Sequence, residues 1–169
     1  MTAPFAIEPL ADDPDRAAFT CGVQPLDRYL GTQATQDIRR RICACFVAVE
    51  TGTKAIAGYY TIAASGIPLP DIAEVTAKKL PRYPMVPAVR IGRLAVASAQ
   101  RGKGLGATLL VDGIERSLRA EIMAFAVVVD AKDDGAAAFY RHHGFIPFAS
   151  VPESLYLPLA EARRRLGIA

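Results

Sequence analysis

Strand-like patterning covers Phe5–Leu10, Cys43–Glu50 and Ala55–Ser65, and Thr51-Gly52-Thr53-Lys54 joins the last two as a hairpin signal. Between the first two, Leu26, Tyr29, Leu30, Gln33 and Ile38 recur near helical spacing and predict a helix over Pro25–Ile42. Arg39, Arg40 and Arg41 stand at its C-terminal end, where the helix macrodipole favours cations. A proline-rich stretch, Pro68–Pro87, follows, with a short helix expected around Asp71–Lys79. Its length marks a functional loop or a lid.

The second half opens on a strand, Ala88–Val96, and a glycine-rich turn. A helix from about Gly104 to Ala120 carries Leu105, Leu109, Ile114 and Leu118 on one face. Ala124–Ala131 is continuously apolar, the pattern of a strand buried on both faces. A short helix is expected over Gly135–His143, strands over Gly144–Ala149 and Ser154–Leu159, and a last helix, with Arg163, Arg164 and Arg165, ending at Gly167. The whole reads as mixed α/β, antiparallel early, with one β-α-β unit at its centre. No repeat or linker divides it, so residues 1–169 are expected to form one domain.

Composition narrows the class. A chain that is 51% hydrophobic and 22% charged can bury a core. Its longest apolar run, Ile122–Val129, is eight residues, against the ~20 that span a bilayer. Met1–Leu10 shows no basic stretch leading into an apolar one, so no leader is expected. Three cysteines give no disulfide framework and suit a reducing cytoplasm. Membrane, secreted and fibrous classes are excluded on these grounds. Charge is unevenly placed: residues 38–103 hold eleven basic and three acidic side chains, whereas residues 1–37 hold two and six. Such a field attracts polyanions, although a merely solvated face reads the same way.

The most informative stretch runs from Arg90 to Gly106. Gly102, Gly104 and Gly106 lie between a strand and a helix, with Arg101 and Lys103 among them. A backbone without Cβ atoms admits an anion closely, and a helix N-terminus offers free N–H groups to phosphate oxygens. A pyrophosphate is the natural guest. A Walker A loop needs Gly-Lys-Ser/Thr, which is absent. Gly102-x-Gly104-x-x-Ala107 fits a relaxed dinucleotide fingerprint, but ninety residues of largely antiparallel pattern precede it and too little chain follows for a second mononucleotide half.

Arg101-x-x-Gly104-x-Gly106 resembles the acyl-CoA signature of the GNAT (Gcn5-related) N-acetyltransferases. Asp133-x-x-Ala136-x-x-Phe139-Tyr140-x-x-x-Gly144-Phe145 is similar to a second GNAT motif, with Asp133 where Asn is common. Cys21-Gly22…Leu26-Asp27-x-Tyr29-Leu30, Gly58-Tyr59-Tyr60-Thr61, Tyr83-Pro84-x-Val86-Pro87, Ile91-Gly92-Arg93-Leu94-Ala95-Val96 and Leu155-Tyr156-Leu157-Pro158 together resemble the tRNA-acetylating toxins of type II toxin–antitoxin pairs. The resemblance implies the GNAT fold, a central mixed, mostly antiparallel sheet flanked by helices. It implies acetyl-CoA as co-substrate, held by Leu94, Ala95, Val96, Arg101, Gly102, Lys103, Gly104, Leu105, Gly106, Asp133 and Phe139. It implies transfer to the α-amino group of aminoacyl-tRNA, a block of translation, a small ribbon-helix-helix antitoxin, and a homodimer. It places Tyr140 beside the thioester sulfur; an amphipathic core tyrosine fits the sequence as well.

The chemistry suits that reading. An α-amine, of pKa about 7.7–8.0, is partly neutral at pH 7, so no dedicated base is required. Asp130 and Glu115 are nearby in sequence but make no convincing one. A phenol of pKa ~10 would stabilise a departing thiolate, of pKa ~8.5, by hydrogen bonding more readily than by full transfer. Arg90, Arg93, Arg39, Arg40, Arg41, Lys78, Lys79 and Arg82 are candidates for tRNA phosphates, with cross-strand charge pairing as the other reading of Arg90 and Arg93. Cys21, Cys43, Cys45, His142 and His143 lack metal-ligand spacing, so no metal is expected. A GNAT enzyme acting on a small amine or a protein N-terminus, or a non-catalytic acyl-CoA-binding regulator paired with an antitoxin, remain the alternatives.

Overall fold

The computed structural model describes residues 4–11 and 14–168; the first three residues of the segment considered for a leader lie outside them. Seven strands, β1 (Phe5–Pro9), β2 (Ala44–Glu50), β3 (Ile56–Pro68), β4 (Met85–Val96), β5 (Ala126–Asp130), β6 (Ile146–Pro147) and β7 (Ser154–Pro158), follow the sheet order β1-β2-β3-β4-β5-β7-β6. The pairing is antiparallel from β1 to β3, parallel between β4 and β5, and antiparallel again to β7 and β6. The mixed, mostly antiparallel sheet with its single parallel β-α-β crossover is thus as expected. The chain divides into two compact units, residues 1–63 with 92–113 and residues 64–91 with 114–169.

In the first unit, β1, β2 and the start of β3 form a meander, with Val47 opposite Tyr59 and Cys45 opposite Thr61. The expected helix over 25–42 forms over 24–39, with a π turn inside it. α1 (Gln24–Arg28) passes through a π turn at Tyr29–Gln33 into α2 (Ala34–Arg39). Gly31 weakens the helix here, and the extra residue in the turn lets Tyr29, Leu30 and Ala34 all bury against Phe19, Val47, Tyr59 and Ala95. Arg41, at φ 60°, ends the helix, with Ile42 N–H bonded to Asp37 C=O at 2.9 Å and Arg41 N–H to Ile38 C=O at 3.0 Å. That is a Schellman cap with arginine in the place glycine usually fills. The first half of α4 (Leu105–Arg119) packs Leu105 and Leu109 into the space left by Gly58, where a Cβ would lie 2.9 Å from Leu109 Cδ1.

In the second unit, β5 supplies the buried centre: Ala126–Val129 are all 0% exposed, as the continuous apolar run requires. Ala88–Ile91 of β4 pair with Ala126–Val129, and β7 covers the other edge of β5. The expected strand over 144–149 shrinks to Ile146–Pro147, because Gly144 turns the chain at φ 93° and Pro147 brings no N–H to a ladder. The proline-rich stretch is shorter than expected, since β3 runs on to Pro68 and β4 begins at Met85. A 3-10 turn at Leu69–Asp71 and the single turn α3 (Glu74–Ala77) lie between. Buried Asp71 fixes that connection by accepting the Ser150 N–H (2.8 Å) and Oγ–H (2.5 Å). α5 (Asp134–His142) and α6 (Leu159–Leu166) complete the unit, and Gly167 caps α6 in the left-handed conformation.

Candidate active site

The glycine turn lies in the first unit. β4 ends at Val96, Ala97 N–H is anchored to Ala57 C=O at 2.7 Å, and a 3-10 turn at Ser98–Gln100 leads into Arg101–Gly104. Gly102 and Gly104 hold φ 76° and 80°, a region in which L side chains are strained. A Cβ built on either meets nothing within 4 Å, so the space against this backbone is open. Thr108 is where the helical bonding of α4 begins, its N–H reaching Gly104 C=O at 3.1 Å. The amides of Leu105, Gly106 and Ala107 therefore stand at the positive end of a 15-residue helix with no carbonyl of that helix to bond. Lys103 adds a cation, its Nζ 3.2 Å from Gln100 Oε1. Lys103 and Gln100 also line a cavity of about 510 Å³ with Pro4, Phe5, Glu50, Thr51 and Gly52. Open, rich in N–H donors and cationic, the turn fits a pyrophosphate. Leu94 and Val96 are half-buried and Ala95 buried where β4 leads into it.

Arg101, exposed beside the turn, also makes a contact outside it. The Arg101 guanidinium donates to Cys21 C=O, in the turn that precedes α1.

Tyr140 lies in the second unit on α5, only 7% exposed and packed edge-on to Phe139 (5.3 Å between centroids) and against Phe145 (5.6 Å). Among the described residues its hydroxyl has no hydrogen-bond partner. Burial, and after it the negative charge of Asp130, pushes its pKa up to about 12. Tyr140 is therefore a proton or hydrogen-bond donor at working pH and never a base. Asp133 caps α5, its Oδ1 accepting the Ala136 N–H at 2.8 Å. That explains how an aspartate serves where asparagine is common, and it leaves Oδ2 for any further contact. Phe139 is half-buried and sits 4.7 Å from the His143 ring.

Both carboxylates near the motifs have cationic neighbours. Asp130 receives Arg90 on Oδ2 and Ser154 Oγ–H, at 2.6 Å, on Oδ1. Glu115 lies 3.8 Å from Arg119. No group of three His, Cys, Asp or Glu side chains among the described residues is placed to hold a metal ion.

The structure sorts the cations. Arg90 is held by Asp130, the charge-pairing alternative that the sequence left open. Arg93 lies over the Tyr29 ring, 3.6 Å from its centroid, while Tyr29 OH donates to Asp37 Oδ2 at 2.9 Å. Arg39 and Arg40 are exposed at the end of α2 in the first unit, and Lys78 and Lys79 are exposed after α3 in the second. Lys78 has only the 3.9 Å neighbourhood of Glu74, an exposed pair. Sequence reasoning missed Asp27, whose Oδ1 receives the Cys21 N–H at 2.8 Å. A solvent-facing helical aspartate carries the same pattern, so only its place in the Cys21-Gly22…Leu26-Asp27 motif marked it.

The profile of the acetyltransferase (GNAT) family matches residues 16–145, which include both the glycine turn and Tyr140. The chain belongs to the GNAT family. It is an N-acetyltransferase that depends on acetyl-CoA. Among curated relatives, a tRNA-acetylating toxin of Mycobacterium tuberculosis is 32% identical over 94% of this chain and 94% of its own. Among solved structures, AtaT complexed with acetyl-methionyl-tRNAfMet is similar with a TM-score of 0.84 and 28% identity, over 96% of this chain and 99% of that one. A tyrosine-to-phenylalanine mutant of AtaT, bound to the C-terminus of the antitoxin AtaR and acetyl-CoA, has a TM-score of 0.78 and 26% identity over 97% and 99%.

Proposed function

We propose that this GNAT enzyme is the toxin of a type II toxin–antitoxin pair, and that it transfers acetyl from acetyl-CoA to the α-amino group of aminoacyl-tRNA. The observation that carries this reading is the likeness, over nearly the whole chain, to AtaT with an acetylated aminoacyl-tRNA in its complex. The N–H groups of Gly102–Gly106 hold the pyrophosphate, with Lys103 supplying charge. Amides near Leu94, Ala95 and Val96 polarise the thioester carbonyl. The neutral amine attacks that carbon, the C–S bond breaks, and the amine's proton passes to water. Tyr140 donates a hydrogen bond to the departing thiolate. Its pKa of about 12 lies above the ~8.5 of a thiol, so stabilisation of the anion is favoured over full proton transfer. No side-chain base is needed for an amine whose pKa is about 7.7–8.0 before esterification lowers it.

Exposed Arg39, Arg40, Lys78 and Lys79 serve as phosphate contacts that position the tRNA without reading its sequence. Arg90 and Arg93, already engaged, contribute to the field more than to direct contact. The two compact units act as one GNAT domain, a reading supported by a single family match drawn from both. A ribbon-helix-helix antitoxin is the partner, and a homodimer the working form. Ile122 and Met123, 85% and 82% exposed beside a cavity of about 240 Å³ lined in part by Phe125 and Leu159, support a protein-contact face there. Among the described residues no helix is long and apolar enough to cross a membrane, and three free cysteines suit the cytoplasm.

Cell-free translation tests the reading. Adding the enzyme should halt synthesis only when acetyl-CoA is present, and fresh aminoacyl-tRNA should restore it once the enzyme has been removed. Inhibition that is independent of acetyl-CoA would remove the proposal.

A further inference from the structure

The Cys21-Gly22…Leu26-Asp27 motif has no part in the chemistry above, yet it is bonded to the stem of the glycine turn. Ser98 N–H donates to Thr20 C=O at 2.9 Å, and the Arg101 guanidinium donates to the next carbonyl, Cys21 C=O. Cys21 is itself fixed: its side chain is buried, and its N–H donates to Asp27 Oδ1 at 2.8 Å. Asp27 belongs to α1, which is tied to β3 through the bond from Tyr59 OH to Leu26 C=O, 2.7 Å long. Gly22 adopts φ +86°, and a Cβ built there would lie 2.7 Å from Arg101 Nη2. The guanidinium thus occupies the place of a side chain that residue 22 does not have.

We propose that Arg101 is a positioning residue, and that Thr20–Gly22, held by Asp27, is the buttress against which it fixes the anion-binding turn. The proposal rests on the acetyl-CoA reading of that turn. A turn containing Gly102 and Gly104 is costly to order. Convergent amides bind an anion well only if the chain entering them is already held, so a clamp on Arg101 spends its effect on affinity. Its charge stays near the turn, but its hydrogen bond goes to Cys21. The chemical step in the filled site does not depend on it.

The experiment compares Arg101→Met, Asp27→Ala, Asp27→Asn, Gly22→Ala and the double variant G22A/R101M in the full chain. Acetyl-CoA is titrated by calorimetry, acetyl transfer is measured at saturation, and thermal melting is followed in parallel. The clamp predicts that R101M, D27A and G22A each raise the acetyl-CoA Kd and KM roughly tenfold, the scale of one lost charge-assisted bond. Turnover at saturating acetyl-CoA and the KM of the acceptor should stay within about twofold. D27N keeps an acceptor oxygen and should restore affinity. The double variant should be no worse than R101M alone, because both remove one interaction. If R101M weakens binding while D27A and G22A do not, Arg101 contacts phosphate directly and the clamp is wrong. If turnover falls in step with melting temperature, the role is general stability and the clamp is again wrong. Should G22A fail to fold, the R101M, D27A and D27N set decides alone. Undetectable acetyl-CoA binding by the unmodified protein would instead overturn the reading of the turn, and the clamp with it.

Discussion

Tyr140→Phe deletes one oxygen from a ring that is 7% exposed. The packing against Phe139 and Phe145 is kept, and no hydrogen bond to a described residue is broken. Among the described residues no buried side-chain oxygen lacks a partner, so the Tyr140 hydroxyl keeps access to water and its removal should change stability by less than about 1 kcal/mol. The chemical step should behave oppositely. A positioned donor contributes typically 10²–10⁴-fold, or about 2.7–5.5 kcal/mol of barrier. Single-turnover transfer from bound acetyl-CoA should slow by that factor, with the acetyl-CoA Kd little changed. The pH profile adds a second check. Burial and the Asp130 charge lift the phenol to about 12, so Tyr140 stays protonated through pH 6–9 and puts no descending limb there. The rate should rise through the amine's pKa, below about 8, and then level off, with the variant parallel but lower. A core tyrosine predicts a lower melting temperature and preserved transfer per folded molecule. Near-normal transfer by the Phe variant would remove Tyr140 from the mechanism.

Gly104→Val places a branched side chain in the open space of the turn at φ 80°; acetyl-CoA affinity should fall at least tenfold in a folded protein, which calorimetry reads directly. Reversing Arg39 and Arg40 together with Lys78 and Lys79 should weaken tRNA binding and reduce its salt slope by about 0.7–0.9 for each phosphate no longer neutralised, whereas Arg90→Gln should change the slope less; equal slopes for both variants would return the basic segment to a solvated face. Burial raises Tyr29, Tyr59, Tyr140 and Cys45, the last to about 12. Groups whose folded pKa is raised contribute fully below their unfolded pKa and lose that contribution as pH rises through the folded one, so melting temperature should decline from about pH 9 through 12. Cys45→Ala should delay that onset, and a flat profile over the interval would contradict the assigned burial.

Element type was readable wherever burial was one-sided or complete. The apolar run before Asp130 read best as a doubly buried strand, and Leu105, Leu109 and Ile114 fell on one face of a helix. The π turn at Tyr29–Gln33 was not readable, because it leaves the spacing of Leu26, Tyr29, Leu30 and Ile38 nearly helical. The length of β3 was hidden by its end, where Gly66 and Pro68 argue locally against a strand. At the site, the open space against Gly102 and Gly104 followed from their missing Cβ atoms. Partner choice did not: nothing in the residue types said that Arg101 turns to Cys21, Arg90 to Asp130 and Arg93 to Tyr29. Arginine makes the same charged hydrogen bonds to carbonyl, carboxylate and phosphate, so only the geometry decides.

The most direct test follows the acetyl group itself. The enzyme is incubated with acetyl-labelled acetyl-CoA and total tRNA, either charged or chemically deacylated, and the label is located after mild alkaline hydrolysis of the aminoacyl ester. The account predicts label only with charged tRNA, released as N-acetyl amino acid. Label retained on deacylated tRNA, label found only on free amines or protein N-termini, or no transfer to charged tRNA at all would contradict it.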